Sequence, residues 1–99
     1  MPAYVINDMQ VTDPAMLEQY KAISPATVAQ FGGRFLARGG NTEMLEGDWQ
    51  PHRLVLLEFP DATAARAWLD SVEYAPARRL RQLASKSNLV LIEGVAPPV

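Results

Sequence analysis

Two runs of four consecutive apolar residues constrain this chain most: Leu54, Val55, Leu56 and Leu57, and Leu89, Val90, Leu91 and Ile92. Both sit in stretches of strand composition, and successive side chains of a strand point to opposite faces. Such strands must be dry on both sides of their sheet. Helices can cover one side. The economical cover for the other is the same face of a second copy, so the expectation is a homodimer joined through its sheet faces.

The remaining signals place these strands in an order. Residues 4–11 alternate and end before Asp13 and Pro14, an N-cap followed by proline at the first helical position. Met16, Leu17, Tyr20 and Ile23 keep helical spacing. Pro25 is expected to break the segment, with Ser24 capping a second short helix that carries Thr27, Val28 and Phe31 and ends at Gly32 and Gly33. Residues 34–38 read as a strand, residues 43–46 as a short extended piece between glycine-rich turns, and residues 52–59 as a strand. Asp61 then caps a helix with Ala64, Ala65, Trp68 and Leu69 on one stripe. After an interruption at residues 71–74, Pro76 restarts a helix whose inner face is Ala77, Leu80, Leu83 and Ala84. Residues 87–94 form the last strand, and residues 96–99 a non-helical tail.

The order β-α-β-β-α-β with helical crossovers is that of a ferredoxin-like α+β sandwich, expected as one domain over residues 1–99. Right-handed crossovers put the helices on one face of an antiparallel sheet and leave the other bare. If Phe59 faces the helices, Val55 and Leu57 do too, and Leu54, Leu56 and Glu58 face the open side. By the same alternation Phe35 and Ala37 face the helices, and Arg34, Leu36 and Arg38 face outward. Asn7 and Asp8 lie on opposite faces, so one of them shares the open side.

Composition removes much chemistry. The chain has no cysteine and a single histidine, His52, which excludes disulfides, thiolate sites and a multi-histidine cage within one chain, and no metal or cofactor is expected. No secretory leader is expected from the first residues, and no apolar run approaches the roughly 20 residues that span a bilayer. The expected location is the cytoplasm, with no membrane partner. With a net charge of −2 there is no global attraction to phosphate backbones. The basic cluster of Arg78, Arg79 and Arg81 reads as a solvated helix face, so no nucleic acid partner is expected.

A family resemblance rests on longer strings. Gly32 to Gly40 (GGRFLARGG), Glu46-Gly47-Asp48-Trp49, Arg53-Leu54-Val55, Glu58-Phe59-Pro60, Ser71-Val72-Glu73-Tyr74, Arg81 and Glu93-Gly94 resemble the small bacterial proteins grouped as domain of unknown function 1330. The departure is Val72, where the family pattern has proline. The resemblance implies a dimeric α+β barrel of two facing ferredoxin-like sheets, and no assigned activity. Related barrels include cofactor-independent monooxygenases acting on polyketide quinols, muconolactone isomerases and haem-degrading enzymes.

The candidate site follows from the open face. Glu58, near the end of an apolar strand, is the candidate acid/base group; Arg34 or Arg38 can pair with it or grip the carboxylate of a small ligand. Trp49 and Tyr74 are candidates for a pocket mouth, and His52 for a ligand contact, although a lone histidine at a strand end is the commoner spectator. Tyr20 reads as core and Ser71 as a helix cap. Two classes of function fit: a cofactor-independent isomerase or monooxygenase acting on a small organic acid or aromatic compound, or a non-catalytic binding or structural dimer module. Haem binding or degradation would rest on His52 alone.

Overall fold

The computed structural model describes residues 1–95; the expected tail at 96–99 lies outside the described residues. Strand β1 (Ala3–Val11) leads to helix α1 (Pro14–Gln30), β2 (Arg34–Arg38), β3 (Arg53–Phe59), α2 (Ala62–Asp70), α3 (Ala75–Ala84) and β4 (Ser85–Glu93). The sheet order is β2-β3-β1-β4 and every neighbouring pair is antiparallel. This is the ferredoxin-like α+β arrangement, with the helices packed on one face.

Alternation in β1 and β3 sorts the faces as expected. Ala3, Val5, Asn7 and Met9 on β1 and Val55, Leu57 and Phe59 on β3 are buried against the helices. Around them Leu17, Tyr20, Val28, Trp68, Tyr74 and Ala77 complete the core. Trp68 lies between Phe59 and Tyr74, with ring centroids 5.3 and 4.2 Å away. On the other face Val90 and Ile92 are more than half exposed and Leu54 and Leu56 are half-buried, so the apolar open side exists in the single chain.

Four expectations about local structure are corrected. Helix α1 does not break at Pro25 but runs through it for 17 residues. Proline lacks the N–H that would bond the carbonyl four residues earlier, that of Lys21. Arg38 supplies the missing donor, its Nη2 lying 3.0 Å from the Lys21 oxygen. Ser24 is therefore no N-cap; it is buried inside the helix, and Thr27 Oγ1 donates to its carbonyl at 2.7 Å.

The second correction concerns β2. Its register against β3 pairs Arg34 with Glu58 and Phe35 with Leu57, then jumps to Ala37 with Leu56 and Arg38 with Val55. Leu36 is the extra residue of a bulge, and past a bulge the side chains change face. Ala37 therefore joins the open side and Arg38 the helix side, the reverse of plain alternation. Third, residues 43–46 form no strand. Fourth, on α3 it is Arg81, 5% exposed, that points inward while Leu83 is exposed, so Arg81 does not belong to a solvated basic face.

Candidate functional site

The open face carries two polar groups at opposite ends. At one, Arg34 Nη2 lies 3.4 Å from both carboxylate oxygens of Glu58, its partner across the β2–β3 ladder. At the other, Asp8 fixes the segment before β3. Its Oδ1 accepts the backbone N–H of His52 at 2.9 Å and its Oδ2 the indole N–H of Trp49 at 3.3 Å. Trp49 is 57% exposed and, with Ile6, Asp8, Asn88 and Val90, borders an open hollow of about 470 Å³ on the sheet. Glu58 pairs with Tyr4 and Asp8 with Leu54, so four residues of β1 separate the two groups, roughly 13 Å along the strand.

The candidates from sequence are thus not gathered in one place. Arg34 and Glu58 meet, Trp49 and His52 meet elsewhere on the same face, and Arg38 is on the opposite face. Tyr74 lines no mouth: it is fully buried between Tyr20, Trp68 and Arg81. The stop after α2 turns it inward, because Ser71 Oγ accepts the Tyr74 N–H at 3.0 Å while donating to the Trp68 carbonyl at 2.8 Å.

A second arrangement lies between the sheet and the helices. Arg38, Val55, Asn7 and Leu89 form one row across β2, β3, β1 and β4 on the helix side. With Arg53, Tyr20 and Ser24 they enclose a space of about 10 Å³, enough for one polar atom or a single water. Next to it, between α2 and β4, is an apolar lobe of about 120 Å³ bounded by Ala65, Leu69 and Leu91. Val5, Trp68 and Leu89 wall both spaces. The two are separate spaces that share this wall, the smaller one also bounded by Val28, Phe35 and Leu57 and the larger one by Arg66.

The nearest acid to the two arginines is Glu18, whose charge acts on Arg53 through space while its carboxylate pairs with Lys21. Among the described residues neither Arg38 nor Arg53 forms a salt bridge. Arg38 is exposed; it stacks over the Phe35 ring, 4.7 Å from its centroid, and its guanidinium donates to the Lys21 carbonyl. Burial, reinforced by the charge of Arg38, lowers the Arg53 pKa from its ordinary value. Gly39 makes room for that guanidinium: it has φ +69°, and a Cβ there would stand 2.8 Å from Arg53 Nε. Asn7 is only 4% exposed, and its Oδ1 has no hydrogen-bond partner among the described residues.

The neighbouring hydroxyls form a buried network with Arg81. Tyr20 and Tyr74 share a hydrogen bond of 2.8 Å between their phenol oxygens, Arg81 Nε donates to Tyr74 at 3.3 Å, and Arg81 Nη1 donates to Ser87 Oγ. Burial first, then the Tyr74 phenol, push the Tyr20 pKa well above its ordinary value. The unfolded chain ionises this phenol near pH 10 while the folded chain still holds the proton, so the contribution of Tyr20 to stability is constant below about pH 10 and falls above it. Denaturant midpoints at about pH 9 and about pH 11 should show that loss, and Tyr20→Phe should flatten it. An equally steep loss in Tyr20→Phe would assign it to other groups.

Sequence reading missed Asn7, Arg53, Arg81 and the role of Trp68. A signal for two of them was present: Asn7 shares parity with Val5 and Met9, and Arg53 with Val55 and Leu57, so each is a polar group on a face otherwise assigned to core. Among the described residues no three His, Asp or Glu side chains converge on a point that could hold a metal ion, and no helix is long and apolar enough to cross a membrane.

Solved structures of low sequence identity share the fold. A protein of unknown function from Rhodopseudomonas palustris superposes with a TM-score of 0.74 at 21% identity, over 97% of this chain and 84% of that one. SnoaB, a cofactor-independent oxygenase from Streptomyces nogalater, gives 0.66 at 20% identity over 97% and 95%. A dimeric ferredoxin-like protein of unknown function from Jannaschia sp. CCS1 gives 0.70 at 13% identity over 95% and 100%. No curated protein matches the chain. Residues 2–95 match the family described as Domain of unknown function (DUF1330).

Proposed function

Because this chain belongs to the DUF1330 family, whose description assigns no activity, we propose a function from its site: a cytoplasmic homodimer that takes a small organic anion between the sheet and the helices of each chain and converts it without a cofactor. The observation that carries this reading is the pair Arg38 and Arg53, two guanidiniums without a salt bridge among the described residues, beside a space of about 10 Å³ that must widen to admit a carboxylate and next to a mainly apolar pocket of about 120 Å³. Arginine forks suit a carboxylate, and the apolar lobe suits a ring or unsaturated chain. The reaction class is isomerisation, or oxygenation with dioxygen as the co-substrate. The arginines hold the carboxylate, Trp68 and Leu89 keep water off the body of the ligand, and the neutral Tyr20 phenol can donate a hydrogen bond at the wall of the site. The likeness to SnoaB, an oxygenase described as cofactor-independent, supports the class at the level of fold.

The dimer uses the open faces, and the description of the Jannaschia protein as dimeric supports it. In that assembly the Glu58–Arg34 pair and the Trp49–Asp8–His52 group border the space between the sheets. The second reading puts the ligand there, with Glu58 as acid/base group; the Glu58–Arg34 pairing at 3.4 Å favours it. Calorimetric titration with phenylacetate separates the two. Binding that Arg53→Gln weakens about 10-fold to 100-fold and Glu58→Gln leaves unchanged is the expected result. Loss with Glu58→Gln and none with Arg53→Gln would move the site to the open face, and no binding by either would favour the structural dimer module.

A further inference from the structure

We infer that Arg38 is the gate of the helix-side site: bonded to the Lys21 carbonyl it closes the wall between β2 and α1, and released from it the guanidinium swings outward and admits an acid to Arg53. The inference deepens the anion reading above and rests on it for the identity of what enters. The space beside Asn7 holds about 10 Å³, room for a single water, so an acid enters only if a wall moves. Of its lining residues, Lys21, Phe35, Arg38 and Arg53 are not fully buried and lie together. Arg38 joins them: it covers the Phe35 ring, bonds the Lys21 carbonyl and bears on the charge of Arg53. It is also the exposed member of the four, on a long flexible stem and directly before Gly39 and Gly40.

Three local features make this bond, and each is otherwise unexplained. Pro25 withholds the N–H that an ordinary helix would give the Lys21 carbonyl, so that acceptor is free for a side chain. The bulge at Leu36 turns Arg38 toward it, where plain alternation would send the arginine to the open face. Gly39, with φ +69°, leaves room for the Arg53 guanidinium, which stays in place as Arg38 moves. The bond is also replaceable. Its acceptor is a neutral carbonyl, whereas a carboxylate accepts a charge-assisted bond that is roughly twice as strong. An incoming acid is therefore the acceptor that can take Arg38 from Lys21. A guanidinium has one heavy atom more than a carboxylate, so its outward swing clears the room the acid group needs.

Opening can be read without a ligand. The chain has two tryptophans, so Trp49→Phe leaves Trp68, a wall of the small space, as the sole indole. In that background Arg38→Ala is expected to raise acrylamide quenching of Trp68 fluorescence severalfold, and Arg34→Ala, at the exposed start of the same strand, to leave it unchanged. Equal quenching with and without Arg38, or the same rise in Arg34→Ala, would overturn the gate. A double-mutant cycle reads the bond itself. Arg38→Ala should lower the melting temperature by roughly 4 to 8 °C beside Pro25, and by less than half of that beside Pro25→Ala, whose new N–H bonds the Lys21 carbonyl. Equal losses in the two backgrounds would overturn the inference. Pro25→Ala keeps both guanidiniums and should bind phenylacetate about threefold to tenfold more tightly in calorimetric titration, because the open state is more populated. Unchanged affinity there, with Arg53→Gln still weakening binding, would overturn the gate and leave the anion site standing. No binding of phenylacetate, with the quenching and the cycle as expected, would remove the anion reading and leave the gate standing.

Discussion

Trp68→Ala is expected to lower stability by about 3 to 5 kcal/mol, the range for deleting a large buried aromatic, and to bring the melting temperature down by roughly 15 to 30 °C for a domain this small. Trp68 is 1% exposed, is packed between Phe59 and Tyr74, and donates its indole N–H to Thr27 Oγ1 at 3.2 Å. Removing it opens a void that joins both lobes of the cavity and frees Thr27 from one partner. Against a total stability of about 5 to 15 kcal/mol, that is a large share. Thermal unfolding followed by circular dichroism checks it, and a drop below about 5 °C would mean that Trp68 is not central to the core. Trp68→Phe keeps most of the apolar volume and should recover most of the loss.

Leu56→Asp is the second large effect, and it acts on assembly. Leu56 faces the open side opposite Ile6 and Ala37, where the proposed dimer interface would dry it. An unpaired charge there costs about 3 to 5 kcal/mol per chain, enough to dissociate a dimer of ordinary affinity. Light scattering should report the dimer mass for the unmodified protein and the 10.9 kDa chain mass for the variant. A variant that stays dimeric would put the interface elsewhere, and an unmodified protein that is monomeric at micromolar concentration would remove it.

The fold was legible because its signals are local and repeated. Asp13 and Asp61 cap α1 and α2 through their side chains as their position before each helix suggests, and the parity of Val55, Leu57 and Phe59 alone assigns the faces of β3. The site was legible only in part. Arg34 and Glu58 share a face because they precede the bulge; Arg38 follows it, and one extra residue at Leu36 reverses its direction. Nothing in five residues of strand announces such a bulge. Pro25 misled for a related reason: its effect on a helix depends on whether something else bonds the freed carbonyl, and the donor, Arg38, comes from a strand 17 residues away in sequence. Tyr74 and Arg81 read as surface groups because aromatic and basic residues outside an apolar stripe usually are. Their burial rests on hydroxyl partners at Tyr20 and Ser87 that only tertiary structure brings close.

The placement of the anion between sheet and helices is tested most directly by a crystal structure of the protein grown with phenylacetate. The carboxylate is expected within hydrogen-bond distance of Arg53 or Arg38, with the ring in the pocket beside Trp68, Leu89 and Leu91. Phenylacetate seated on the open face, against Arg34 and Glu58 or beneath Trp49, with the helix-side cavity unchanged, would contradict it.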